Sequence, residues 1–281
     1  RADVVHHGGG TMPLLGAAPT VLTVHDLQYL RHPEYFSAAR RRYLAAMVPR
    51  SARRATVVTV PSRFVRDHVC DAFDVADERI VVVPHGVPLV DAPDGDRTAA
   101  VLARYGLVDR PFVVYPAITH PHKGHTVLVE MLDELDDDIA LVLIGGHGTA
   151  ERGLQSMIRA SRHRQRVFRL GRVPDTDRDA LVAGADALVF PSEFEGFGAP
   201  LIEAMALGTP VVCSSADAVV EVVGDAGVVV VERTGAAWAA AVDDARRNRS
   251  ELTARGRRRR ECFTIETSGA ALADAYRMAA S

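Results

Sequence analysis

The stretch "ALVFPSEFEGFGAPLIEAMALGTPVVC", residues 187–213, reads as strand, loop, helix and strand in immediate succession. "ALVF" (187–190) and "PVVC" (210–213) are short apolar runs without polar alternation, as expected of strands buried on both faces of a parallel sheet. The helical pattern 200–207 between them opens on Pro200, a residue tolerated in a first turn. Two parallel strands need such a crossover, so the stretch is a βαβ unit and predicts an α/β fold.

The same rhythm extends in both directions. Apolar runs at 3–7, 20–24, 56–60 and 80–84 precede a second series at 112–116, 140–146, 187–190, 210–213 and 228–231. Helical patterns at 39–53, 62–72, 124–136, 149–164, 200–207 and 236–247 alternate with them, which predicts right-handed crossovers. "HGVPLVDAPDGDR" (85–97) breaks the rhythm with Pro, Gly and Asp and reads as a linker. A final helix, 268–279, follows Thr264 and Thr267, either of which can cap it. The expected organisation is an N-terminal Rossmann-like domain over 1–90, joined by the C-terminal helix 266–281, and a second Rossmann-like domain over 98–265. The first is too short to match the second. Because the chain starts at Arg1 and enters "DVVHH" at once, the expectation is that an N-terminal segment is missing.

Composition excludes several classes. Of 281 residues, 48% are hydrophobic and 25% charged, so the chain buries a sizeable core. A net charge of −3 argues against a general nucleic-acid binder. Cys70, Cys213 and Cys262 are too few and too scattered for a disulfide framework or zinc site, which makes a reducing cytoplasm the default. No apolar run approaches the roughly 18 residues of a membrane span.

Glu195 and Glu203 stand eight positions apart, with Gly196 and Gly198 between them. Ligands in open α/β sheets collect at the carboxyl ends of strands, and this loop follows one. Glycines admit close approach to the backbone, and a carboxylate accepts paired hydrogen bonds from a vicinal diol. A loop acid near a helix start and a solvated helix residue fit the same spacing. Spacing alone leaves both readings open.

"PSEFEGFGAPLIEAMALGTPVV" resembles the E-x7-E motif of family 4 glycosyltransferases, retaining enzymes of the GT-B fold. Pro-Ser, both glutamates, Gly-Phe-Gly, Glu-Ala-Met-Ala and Pro-Val-Val stand in order. The resemblance implies that Glu195 meets the donor hexose and Glu203 the nucleotide ribose. It also implies that the amides of Phe197 and Gly198, after Gly196, lie near sugar and phosphate. In "VVYPAITHPHKGHTVLVEML" (113–132), Lys123 matches the family lysine that offsets diphosphate charge. The Gly-Arg that many members carry ahead of it is replaced by Ala117 and Ile118, with Arg172 in "LGRVP" a weak candidate for the second cation. His120, His122 and His125 do not follow a common metal-ligand spacing, and the family generally needs no metal, so no cofactor is expected. "TVLTVHDLQYL" (20–30) places His25 and Asp26 at a strand end. Asp26 reads as a turn or cap, while the family histidine at His25 orients the donor sugar. "PSRFVRDHV" and "VVPHGV" also fit the family pattern, which thus covers nearly the whole chain.

The resemblance therefore implies a GT-B fold of two Rossmann-like domains facing a cleft. It implies transfer of a hexose, with retention, from a nucleotide sugar to the hydroxyl of a saccharide or lipid-linked acceptor. "YPA…PHK" is similar to the bacterial mannosyltransferase subgroup, so GDP-mannose is the favoured donor. The alternatives are a GT-B-fold UDP-sugar epimerase and a non-catalytic nucleotide-sugar binder. Arg40, Arg41, Arg42, Arg50, Arg53 and Arg54 are candidates for peripheral contact with an anionic membrane on its cytoplasmic face. A solvated helix face is the plainer reading, as it is for "RGRRRR" (255–260).

Overall fold

The computed structural model describes residues 2–15, 18–88 and 92–281. The chain forms two units. One comprises Arg1–Pro88, Glu195–Gly198 and Phe263–Ser281, and the other Leu89–Phe194 and Ala199–Cys262.

The first unit is built on four parallel strands, β1 (Val5–His7), β2 (Thr20–Thr23), β3 (Val57–Val60) and β4 (Ile80–Val82), in that order. Neighbouring side chains along a strand leave on opposite faces, and here both faces are covered. Leu22 and Val58 pack with Val48, Val65, Val69 and Phe73 under helices Ala38–Arg54 and Arg63–Phe73. Val21 and Val57 meet Ala275 and Ala279 of helix Ile265–Ala280, whose small side chains four apart form its inner stripe. Thr264 caps that helix by accepting from the Thr267 amide.

The second unit holds β5 (Phe112–Pro116), β6 (Ala140–Ile144), β7 (Val167–Gly171), β8 (Ala187–Phe190), β9 (Val211–Ser214) and β10 (Gly227–Val230). All are parallel, in the order β10-β9-β8-β5-β6-β7. This is the doubly wound Rossmann order, and its direction reverses between β5 and β8. Ligands of such sheets collect at the carboxyl edge where the direction reverses, so the loops leaving β5 and β8 mark the candidate site.

Three sequence expectations need correction. The linker 85–97 ends early: Asp94 accepts from the Arg97 amide and caps a helix at Gly95–Arg104, while residues 89–91 of that stretch lie outside the described residues. β7 was not expected, because it is half-buried along its length and carries Arg169 at its centre. The arginine run at 255–260 belongs to helix Arg249–Arg260 and is not simply a solvated face. Arg259 donates to the carbonyls of Val222 and Glu221, and Arg260 to that of Ala206, closing the ends of helices Asp217–Val223 and Ala199–Ala206. Among the described residues, no helix is long and apolar enough to cross a membrane.

Candidate functional site

Tyr115, fully buried near the end of β5, ties the loops after β5 and β8 together. Its hydroxyl donates to the Lys123 carbonyl at 2.9 Å and lies 3.0 Å from Ser192 Oγ. The Glu193 amide donates to the His122 carbonyl at 2.8 Å. Gly124 (φ 66°) has no room for a side chain: a Cβ there would stand 2.5 Å from the Pro191 carbonyl oxygen. Lys123 is thereby held against the segment that leads from β8 into the glutamate loop, with its ammonium 6.0 Å from the Phe190 ring centre.

Below these loops lies a buried ion pair. Arg169 of β7 donates to Glu151 at 2.9 Å, to Thr119 Oγ1 at 3.1 Å and to the Gly145 and Gly146 carbonyls at 2.8 and 3.2 Å. Thr119 donates to the same Glu151 oxygen at 2.6 Å. Burial disfavours the Glu151 charge, yet the hydrogen bonds from Arg169, Thr119 and Gln155 hold its carboxyl at about 2. The loops after β5 and β6 are so joined to β7. The sequence carried no local signal for this pair, because the two residues are eighteen positions apart and each reads as ordinary surface charge.

Of the three histidines near Lys123, His120 and His122 stack at 5.9 Å, whereas His125 is buried beside Tyr115, 4.8 Å between ring centres. Burial, and then the Arg169 charge, push the His125 pKa down to about 4. Among the described residues, no group of three or more His, Cys, Asp or Glu side chains is arranged to hold a metal ion.

Glu203, half-buried on helix Ala199–Ala206, has its pKa raised by burial, an effect that the charge of Arg178 offsets and those of Asp179 and Asp175 reinforce. Lys123 and Glu203 thus lie in the second unit. Glu195, Gly196, Phe197 and Gly198 belong to the first unit, with His25.

There the loop is anchored at Gly196 and Phe197. The Gly196 carbonyl accepts from Ser62 Oγ at 2.8 Å, and Ser62 also caps helix Arg63–Phe73. A Cβ on Gly196 would stand 2.0 Å from the His25 carbonyl oxygen. Phe197 is buried, edge-on to His85 and Phe263 at 5.1 and 5.4 Å between ring centres, and Gly198 takes φ 103°. His25 is exposed; its ring lies 5.7 Å from that of His85, nearly parallel, and its Nε2 donates to the Gly8 carbonyl at 2.9 Å. Asp26 accepts from the Gln28 amide, the turn role expected of it. Sequence reading did not assign roles to Ser62 and His85, although the motifs containing both end strands of the first sheet.

Residues 103–261 match the family described as Glycosyl transferases group 1, and residues 1–91 match Glycosyltransferase Family 4. The chain belongs to the family 4 glycosyltransferases. The O-antigen chain mannosyltransferase B of Escherichia coli is 31% identical over 232 residues, covering 81% of this chain and 61% of its own length. A GDP-mannose-dependent alpha-(1-6)-phosphatidylinositol monomannoside mannosyltransferase of Mycolicibacterium smegmatis is 34% identical over 192 residues, covering 63% and 49%. The crystal structure of Anabaena Alr3699/HepE in complex with UDP and glucose superposes with a TM-score of 0.79 at 21% identity, covering 92% of this chain and 71% of that one. Together with the two parallel sheets, that superposition establishes the GT-B fold for this chain. The chain spans less than two thirds of the length of the curated relatives just named.

Proposed function

We propose that this glycosyltransferase chain acts in the transfer of a hexose from a nucleotide sugar to an acceptor hydroxyl, with retention at the anomeric carbon. The carrying observation is the packing of Gly124 on Pro191, which holds Lys123 against the segment that leaves β8, at the reversal of a Rossmann sheet. In this reading Lys123 offsets the charge that develops on the departing diphosphate, and Glu203 accepts hydrogen bonds from the ribose hydroxyls. Glu195 and His25 contact the donor hexose, with the amides of Phe197 and Gly198 near sugar and phosphate. None of these side chains is assigned as a nucleophile. The departing phosphate takes the proton of the attacking acceptor hydroxyl on the same face, and fixed charges stabilise the positive sugar. No metal takes part in this scheme.

GDP-mannose is the proposed donor, supported by the mannosyltransferase names of the two curated relatives. The acceptor is a saccharide or lipid-linked saccharide. Calorimetry with GDP and UDP, followed by hexose release from a panel of nucleotide sugars, tests the proposal. Binding with turnover supports it, binding without turnover favours a non-catalytic role, and failure to bind either nucleotide refutes it. An epimerase would instead interconvert the sugar of its bound donor.

A peripheral position on the inner face of the cell membrane is a subordinate proposal. It rests on helix Ala38–Arg54, where Arg40, Arg41, Arg42 and Arg50 are exposed and no acidic residue occurs. Salt-sensitive co-sedimentation with phosphatidylglycerol vesicles supports this position; its absence refutes it.

A further inference from the structure

Arg172 follows Gly171 (φ 72°) at the carboxyl end of β7 and is exposed. Its guanidinium lies across the backbone of Gly146, just beyond β6. A Cβ on Gly146 would stand 3.0 Å from Arg172 Nε, 3.5 Å from Nη2 and 3.7 Å from Cζ, so the missing side chain is the room the guanidinium uses. The shelf itself is fixed, because Arg169 binds the carbonyls of Gly145 and Gly146 and is balanced by Glu151. Neighbouring arginines are committed: Arg166 grips the carbonyls of Ile139 and Leu132, and Arg178 pairs with Asp179. Among the described residues, no hydrogen bond or ion pair engages Arg172.

Its place in the sheet suggests what it meets. Lys123 belongs to the loop after β5, and β6 stands between β5 and β7, a separation of about 10 Å at ordinary strand spacing. The two cations are therefore poorly placed to share one phosphate. Glu203, the proposed ribose ligand, feels the charge of Arg178 on helix Asp175–Ala183, and that helix starts three residues after Arg172. One step beyond the ribose, on the side away from the diphosphate, is the base.

We propose that Arg172 reads the nucleobase and favours guanine, in place of serving as a second diphosphate cation. This rests on the nucleotide-sugar reading above. The guanidinium fork presents paired N–H groups that match the adjacent O6 and N7 acceptors of guanine, whereas uracil offers O4 alone on the corresponding edge.

Calorimetry of GDP and UDP against the chain and its Arg172→Ala, Arg172→Lys and Gly146→Ala variants tests the proposal. The unaltered chain should bind GDP more tightly than UDP. Arg172→Ala should weaken GDP by about tenfold or more and UDP by less than about threefold. Arg172→Lys should restore little, and Gly146→Ala, which crowds the guanidinium, should move in the same direction as Arg172→Ala. Equal losses for both nucleotides would make Arg172 a phosphate ligand and overturn the proposal, as would unchanged affinities. A chain that binds UDP as tightly as GDP refutes base reading but leaves the transferase proposal intact. A chain that binds neither refutes both.

Discussion

Gly196 faces the carbonyl oxygen of His25 so closely that a methyl group on its α-carbon would stand 2.0 Å from that oxygen. Backbone cannot yield as a flexible side-chain tip can. Gly196→Ala should therefore displace the loop carrying Glu195 and cost about 1–3 kcal/mol, with a fall in donor turnover. Gly153→Ala is the control, since nothing lies within 4 Å of its added Cβ in helix Glu151–Ala160. That change should stabilise by about 0.5–1 kcal/mol. Urea midpoints for both variants check the contrast.

The Glu151–Arg169 pair is nearly excluded from water, with side-chain exposures of 9% and 13%. Losing one partner strands the other's charge. Glu151→Leu or Arg169→Leu alone should each cost about 3–5 kcal/mol, while the double variant should cost clearly less than the two together. Additive losses in denaturant melts would show that the pair is not coupled as its geometry demands.

Acid should unfold the chain in two windows. The His125 pKa is lowered from 6.5 to about 4 in the folded state, so the unfolded chain binds more protons between those values, and stability falls as pH drops through them. The loss is on the order of 3 kcal/mol. Glu151, lowered from 4.5 to about 2, contributes stability above pH 4.5 that is lost as pH falls from 4.5 towards 2. His125→Gln should flatten the upper window in a pH series of denaturant midpoints and leave the lower one. An unchanged upper window would exclude His125 as its source.

The parts legible in sequence were those governed by a single physical rule. β5 and β8 are continuous apolar runs because both faces of the sheet are covered, and the Gly-Phe-Gly loop is marked by residues that only backbone crowding requires. Helix Gly95–Arg104 hid behind Pro93, Asp94 and Gly95, which serve a cap as readily as a linker. β7 hid because an edge strand tolerates Arg169. Tertiary pairings left no local trace: nothing near Glu151 announces Arg169, and nothing near Gly196 announces the His25 carbonyl. The membership of Glu195–Gly198 in the first unit was equally silent, since the flanking strand and helix belong to the second.

Lys123 should act on the diphosphate more than on the nucleoside. Lys123→Met should weaken GDP by roughly tenfold or more and guanosine by little, as expected for a charge-assisted contact. Equal weakening of both ligands in calorimetry would assign the lysine to another part of the nucleotide.

The central claim is that the two glutamates have different tasks, Glu195 for the hexose and Glu203 for the ribose. The most direct test compares Glu195→Ala with the unaltered chain, in hexose release from GDP-mannose and in GDP affinity by calorimetry. The predicted result is a fall in release of about 100-fold or more, with the GDP dissociation constant changed by less than about threefold. Loss of both in equal measure would contradict it.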